Sequence, residues 1–404
     1  MGRIIGIRHR VKQTVEGEAR PTQVAILEDG ASEHRLLDLE TETDELDFLL
    51  GRFPTAWRDA TNRDELKDVF KHHLRVRKLK QGEDTNALAI HEVKGPKGSE
   101  LKALRIPIAF EGLHTDDTIV MVLGGSGDNF AYALSRRGEE IRASVHRVPP
   151  FILEARRDGE KDNDVQNLIA LFKTDTGAFF LCEVRDRKII VVRETWRARE
   201  EAMKARLAAE ARLRSRFIGQ IFRSHEGRYP EGLLEDAFDA QRTNDIVCET
   251  LRQEQNMRDR EMAAAVENTE VWQEVLTNVV GCGPAIAARL IASIQDIRRF
   301  SSPSKLRAYC GVHVMNGGEH GERQPDKQFP RRRSGEVANW SEEARQALYL
   351  LGDQMNRRPE SQCGQRLRVN KVAYRIRRPS VICKQCGVIW EDGHEKIDND
   401  NCHT

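Results

Sequence analysis

The sequence predicts an α/β N-terminal part followed by an all-α C-terminal part, and three observations lead to this fold class. Short β-prone runs alternate with polar turns and amphipathic stretches through the first 190 residues or so. From about Arg185 the chain becomes rich in Ala, Glu and Arg and almost free of Gly and Pro, with apolar residues at helical spacing. A Gly-x-Gly-Pro turn at 281–284 then opens an alanine-rich segment, the pattern of a helix started after a tight turn.

Arg3 to Arg8, Gln23 to Leu27 and Arg35 to Leu39 read as three strands of a meander. Residues 54–115 do not fit that pattern. With Lys71-His-His-Leu-Arg-Val-Arg-Lys-Leu-Lys and Lys94-Gly-Pro-Lys-Gly, they read as a basic insertion between strands three and four. Thr118 to Leu123 is continuously apolar and predicts a buried central strand. It ends in Gly124-Gly-Ser-Gly, and a helix from about Asp128 to Arg137, a strand at Ser144 to Val148 and a short helix at Asp164 to Phe172 follow. The order β-β-β, then β-α-β-α, is that of an RNase-H-like or RuvC-like core, although periodicity alone does not separate it from other α/β folds.

Two long helices, about Arg185 to Phe222 and Leu233 to Val279, flank a turn at Gly227-Arg-Tyr-Pro-Glu-Gly. Val192, Trp196, Met203, Leu207, Phe217 and Ile221 supply the expected apolar stripe. The pair is either an antiparallel hairpin that could join a second copy as a coiled coil or a solvated helical spacer within one subunit. The implied domains are 1–184, carrying the insertion at 54–115; 185–272; 273–360; and a basic linker with a tail at 361–404.

The turn at Gly281 and Gly283 is the most informative segment. Both glycines allow positive φ, and Pro284 suits the first residue of a helix. Unpaired N–H groups and the positive end of the helix dipole then form an anion site suited to a DNA phosphate. Ala285, Ala287, Ala288 and Ala292 would let this helix approach the preceding one closely, as a helix-hairpin-helix module requires. The competing reading is an ordinary turn between packed helices. Lys305 follows in the next helical segment. Farther on, Arg331, Arg332 and Arg333, with Lys327 just before them and Arg345, Arg357 and Arg358 in or just after the following helix, form a basic group fit to neutralise phosphates, where the alternative is a solvated charged face. Ser341 to Asn356 returns to helix.

At the C-terminus, Cys383-Lys-Gln-Cys386 has the spacing of a zinc knuckle, and His394 with Cys402 or His403 could complete a tetrahedral structural Zn²⁺ site. A frayed tail or a redox pair are the alternatives. The remaining cysteines, Cys182, Cys248, Cys282, Cys310 and Cys363, are scattered and read as reduced thiols. Lys and Arg number 65 against 64 Asp and Glu in 404 residues, so a nucleic-acid surface must be a local patch. With no apolar run of membrane-spanning length and no signal-peptide pattern, a cytoplasmic protein is expected.

Gly281-x-Gly-Pro-x-x-Ala-x-x-Leu290, Asp296-Ile-x-x-Phe300 and Leu306-x-Ala-Tyr-x-Gly-Val312 together resemble the C-terminal domain of the insertion-sequence transposases related to the Piv invertase, the bridge-RNA-guided recombinases. Ala344-Arg-Gln-Ala-Leu-Tyr-Leu resembles that domain's closing motif. Ile4-Ile-Gly-Ile, Gly125-Ser-Gly and Asp164 with Leu168 and Ala170 resemble the family's RuvC-like DEDD domain, and the helical hairpin its coiled coil. The resemblance covers about residues 1 to 360; the zinc-like tail lies outside it.

It implies a DNA transposase or recombinase that binds DNA and a guide RNA, assembles as a homo-oligomer, and uses four acidic residues to hold Mg²⁺ while a serine attacks the DNA backbone. Ser334, in the Ser-Gly pair after the Tyr-x-Gly motif, is the candidate nucleophile. Of the acidic positions, the first falls on Arg8, the second near Gly124, the third on Lys161 or Asp162 and the fourth on Asp164. Asp162 and Asp164 are therefore the candidate metal-binding acids. Losing the others should abolish metal-assisted chemistry, which makes a catalytically inactive relative that binds DNA or structured RNA the alternative. A purely structural helical protein is a third reading.

Overall fold

The computed structural model describes residues 2–10, 19–95, 98–157, 163–227, 229–313 and 340–377. The chain divides into two compact units, Met1–Glu183 and Val184–Thr404. The first holds two sheets. Strands β1 (Ile4–Arg8), β2 (Thr22–Leu27) and β3 (Arg35–Leu39) form the predicted meander and lead into helix α1 (Glu42–Leu49). Four strands follow, β4 (Phe53–Asp59), β5 (Arg75–Lys78), β6 (Ile90–Gly95) and β7 (Gly98–Glu111). The chain then returns through β8 (Thr118–Val122), α2 (Asp128–Ile141), β9 (Ser144–Val148), α3 (Pro150–Glu154), α4 (Asp164–Thr174) and the short β10 (Phe180–Leu181).

The main sheet has the order β10-β9-β8-β1-β2-β3. The β1–β2 and β2–β3 pairs are antiparallel, whereas β1–β8 and β8–β9 are parallel. Parallel pairs need a crossover, and α2 supplies the one between β8 and β9. Gly6 in β1 permits the closest packing on this sheet: a Cβ there would lie 2.2 Å from the Val165 carbonyl oxygen, so α4 crosses β1 backbone to backbone. Val165, Leu168, Ile169 and Leu171 of α4 bury against Ala25, Leu27, Val120 and Val148. Strand alternation turns Ile5, Ile7, Val24, Ile26, Ile119 and Met121, all buried, to the opposite face.

Residues 53–111 form an independent antiparallel sheet in which β7 pairs with β4, β5 and β6. The segment read as a basic insertion is thus a sheet around one 14-residue strand, with a small core of Ala60, Ala89 and Ile106. Two arginines, Arg3 and Arg35, tie it to the main sheet through Glu111. Arg3 donates from Nε and Nη2 to the two carboxylate oxygens of Asp117 at 3.0 and 2.7 Å, from Nη1 to Glu111 at 2.7 Å and from Nη2 to the Gly112 carbonyl at 2.8 Å. Both carboxylates are buried, and Arg35 also pairs with Glu111.

The second unit is helical among its described residues. Helix α5 (Val184–Phe222) runs unbroken for 39 residues. The second long helix predicted for 233–279 is interrupted: α6 (Leu234–Asn244), α7 (Ile246–Glu267) and α8 (Glu270–Glu274) are separate. The breaks fall where side chains cap the next helix, Asp245 accepting from Cys248 N–H and Thr269 from Trp272 N–H. The pairs Lys188–Glu270, Arg199–Asp259 and Arg206–Gln255 show α5 and the returning helices to be antiparallel. The buried stripe of α5 differs from the expected one. Val192 and Trp196 are buried, but farther along the seam uses Ala202, Ala209 and Leu213, while Leu207 is exposed.

Helices α9 (Pro284–Ile294), α10 (Pro303–Tyr309), α11 (Glu342–Arg357) and α12 (Gln362–Arg377) complete the unit. The segment from 361 read as a linker therefore begins with a helix. Val192 and Trp196 of α5, Met262 and Val266 of α7, Ala287, Ala288 and Ile291 of α9, and Ala347 and Leu351 of α11 share one core, so the base of the hairpin and the C-terminal helices are packed as one body. No described helix is long and apolar enough to cross a membrane.

Removing Arg3 leaves two buried carboxylates without their shared cation, and Arg3→Ala should cost about 3 kcal/mol in denaturant unfolding of the first unit. Burial alone would raise the Glu111 carboxyl, but hydrogen bonds from Arg3 and Gly112 N–H and the nearby guanidinium charges outweigh it and hold the group below its ordinary range. A depressed folded value makes this contribution complete above the unfolded carboxylate pKa, about 4.3. It is lost as pH falls through the folded value. Wild type should thus lose stability on acidification more steeply than Glu111→Gln, as read from melts between pH 7 and pH 3.

Candidate nucleic-acid interface and sheet-end site

In the turn before α9, Gly281 has φ of +91°, as the sequence predicts, but Gly283 does not share it. Gly283 is extended, with φ of −78° and ψ of 170°, and acts as the N-cap of α9 with Pro284 following at the first helical position. No side chain caps this helix, unlike α10 and α11, whose first turns are capped by Ser302 and Ser341. Gly283 is exposed, and a Cβ on it would meet nothing within 4 Å. The start of α9 therefore presents N–H groups and a positive dipole end on an open backbone.

The alanine face of α9 packs differently from the expected hairpin of two adjacent helices. The element just before the turn is only the five-residue α8 and a single 3-10 turn at Leu276–Asn278. Ala287, Ala288 and Ala292 are buried in the core shared with α5, α7 and α11, while Ala285 is exposed. A Cβ on Gly281 would lie 2.7 Å from Cβ of Gln354 in α11 and 3.2 Å from Nη1 of Arg358. The glycine turn and the exposed guanidinium of Arg358 are thereby neighbours, which sequence distance hid. Lys305 is exposed on α10.

The other motif residues hold α9 and α10 together. Asp296, buried, caps the turn at Ile297–Arg299 by accepting from Arg298 N–H at 2.8 Å and pairs with the Arg298 guanidinium. Tyr309 donates its hydroxyl to the Ser293 carbonyl at 2.8 Å and packs on Phe300. Gly311 takes φ of +64° with the Trp340 ring against it. Burial pushes the thiols of Cys282 and Cys310 up, so neither is poised as a nucleophile.

Within the first unit, the C-terminal ends of β1 and β8 and the start of α4 meet, as the sequence order requires. Arg8 closes β1, Gly124 and Gly125 turn the chain after β8 with φ of +85° and +82°, and Asp164 opens α4, buried. Arg157 donates from Nε and Nη2 to the two oxygens of Asp164 at 2.7 and 2.8 Å, and Arg8 Nε lies 3.8 Å from Oδ2. The carboxylate holds the Arg157 guanidinium protonated above its usual value. Asp128, the nearest acid after β8, is also buried, 3.2 Å from Gly124 N–H and 3.4 Å from Arg147. Asp116 lies before β8, at the opposite end of that strand.

Magnesium requires several free carboxylate or water oxygens in octahedral array. Here both oxygens of Asp164 are bound by one guanidinium and a second approaches. The described residues of this centre therefore do not fit Mg²⁺. Asp162, Arg331, Arg332, Arg333, Ser334, Cys383, Cys386, His394 and Cys402 all lie outside the described residues.

Residues 273–322 match the Transposase IS116/IS110/IS902 family, a span that takes in the glycine turn, α9 and α10. The match identifies a segment of insertion-sequence transposase type and supports a DNA-transposase function, with DNA as partner. No curated protein matches the chain.

The two glycines should behave oppositely. Gly281→Ala puts a side chain at φ of +91° and into Gln354, and should lower stability by about 1–3 kcal/mol. Gly283→Ala meets open space and should change it by less than about 0.5 kcal/mol, both read from thermal melts.

Proposed function

We propose that the chain acts on DNA as a protein of insertion-sequence transposase type, holding the backbone at the α9 turn, and that its sheet-end centre contributes binding rather than Mg²⁺-assisted cleavage. The observation that carries the first part is the transposase match at 273–322, which falls on the uncapped start of α9 beside Arg358. Backbone N–H groups and one guanidinium there suit a phosphate and read no sequence. Lys305 and the run Arg331, Arg332 and Arg333 supply further cations for phosphates in this reading.

The second part rests on Asp164. In a two-metal centre the carboxylates would face the ions; here the Arg157 guanidinium binds both oxygens of Asp164, and Arg8 Nε stands 3.8 Å from one of them.

A second reading, favoured by the same family match, retains strand exchange. In it Ser334 attacks the DNA backbone, a guide RNA selects the sites, and subunits pair through the hairpin, where Ile246, Val247 and Leu233 are exposed. A structural Zn²⁺ at Cys383, Cys386, His394 and Cys402 belongs to either reading.

Binding to duplex and branched DNA at several salt concentrations, with and without Mg²⁺, tests both. Wild type should bind with a steep inverse dependence on salt, and Arg358→Ala should weaken binding severalfold and reduce the slope by about one. Binding indifferent to salt would overturn the DNA reading. With Mg²⁺ and flanking DNA, no nick that depends on Asp164 is expected; a product abolished by Asp164→Ala would restore metal-assisted chemistry to this centre. A strand-exchange product lost in Ser334→Ala but kept in Asp164→Ala would support the second reading.

A further inference from the structure

Outside both regions, three metal-ligating side chains converge in the first unit. Asp47, on the sixth residue of α1, accepts at Oδ2 from Nε2 of His72 at 2.9 Å and from Nε2 of His73 at 2.6 Å. The three ligating atoms all lie within 4.8 Å of one another. The other oxygen, Oδ1, accepts from Arg52 Nε at 2.7 Å. The Asp47 and His73 side chains are buried, and the His72 side chain is 41% exposed. Phe70 packs against both imidazoles, and Phe110 against His73.

We infer that Asp47, His72 and His73 form a site for one Zn²⁺ or a similar borderline divalent cation, tying α1 to the segment that enters the second sheet. Two imidazoles and a carboxylate are the donor set such ions take, with one position left for water. The partly exposed His72 leaves this site accessible to solvent. Arg52 balances the carboxylate charge through Oδ1, and a bound ion would take both imidazoles in the neutral form. Arg52 also fixes the carboxylate so that Oδ2 faces the two rings, the orienting role an outer partner plays at metal centres. Ligands at zinc distances stand roughly 3.3 Å apart, so an ion replacing the two Nε2 protons would open the Oδ2–Nε2 separations of 2.9 and 2.6 Å by about 0.4 and 0.7 Å. Those protons would be released on binding. Trp57 Nε1 donates to the His73 carbonyl at 3.1 Å, so an ion held here also steadies β4.

The test uses the full chain carrying Cys383→Ser, Cys386→Ser and Cys402→Ser, so that the tail thiols contribute nothing. Calorimetric titration with Zn²⁺ should give one equivalent, and Co²⁺ should give visible d–d absorption without thiolate charge transfer. Because His72 is partly exposed, His72→Ala should remain folded by circular dichroism, and it should weaken Zn²⁺ binding at least about tenfold. Zn²⁺ should raise the Tm of the background protein and leave that of His72→Ala unchanged. Absence of binding in the background protein, or equal affinity in His72→Ala, overturns the inference.

Discussion

The buried cluster around Arg3 sets the frame in which every other element of the first unit sits. Its backbone carbonyl accepts from Thr118 N–H at 2.9 Å as β1 and β8 begin to pair, while its side chain binds the last residue of β7 and the turn before β8. One residue thus fixes the register of the central parallel pair and anchors the second sheet to it. Five residues on, that register delivers Arg8 to the end of β1. With α4 pressed onto Gly6, Arg8 meets Asp164 because the sheet leaves it no other place.

Much of this was legible in the sequence. Strands Arg35–Leu39 and Ser144–Val148 lie where alternation and apolar runs put them, because their pattern is set by two sheet faces. The helix starts at Asp128 and Asp164 followed from turn residues and acidic first turns. The second sheet was not legible as a sheet: its strands carry charges on both sides of the chain, so Arg75–Lys78 read as a basic run. The breaks at Asp245 and Thr269 were hidden for a different reason, since Asp and Thr inside a polar helical stretch carry no strong stop signal until their side chains are seen to cap. The seam of α5 misled because alanine buries little area and scores weakly against Leu207, yet close helix approach selects the smaller residue.

The candidate sites divide in the same way. Gly281, Pro284 and the first turn of α9 were readable because a positive-φ glycine and a first-position proline are local requirements. Arg358 was legible as part of the basic group, but its contact with Gly281 was not, since that depends on how α11 packs. Asp47 and the two histidines are 25 and 26 residues apart, and the His-His pair sat inside a run whose Lys and Arg residues drew attention to charge. At the sheet end the sequence showed which acids are absent at β1 and β8; only the fold reveals that Arg157 binds both oxygens of Asp164.

The contrast between α5 and its interrupted partner bears on how the hairpin yields under load. A helix of 39 residues is a rod about 58 Å long. Near its tip a separate small cluster, Ala209, Leu213, Phe238 and Cys248, packs α5 against α6 and α7, while the base belongs to the larger core with α9 and α11. Between the two the seam carries the buried Ala202 and polar pairs such as Arg206 with Gln255. The hairpin is therefore two cooperative units strung on one shaft, and the tip can open and reclose without melting the base. Because α5 passes through both, a ligand or second subunit that stiffens the tip would be felt at the base as reduced fraying of a common helix, with no displacement of the glycine turn needed to carry the message.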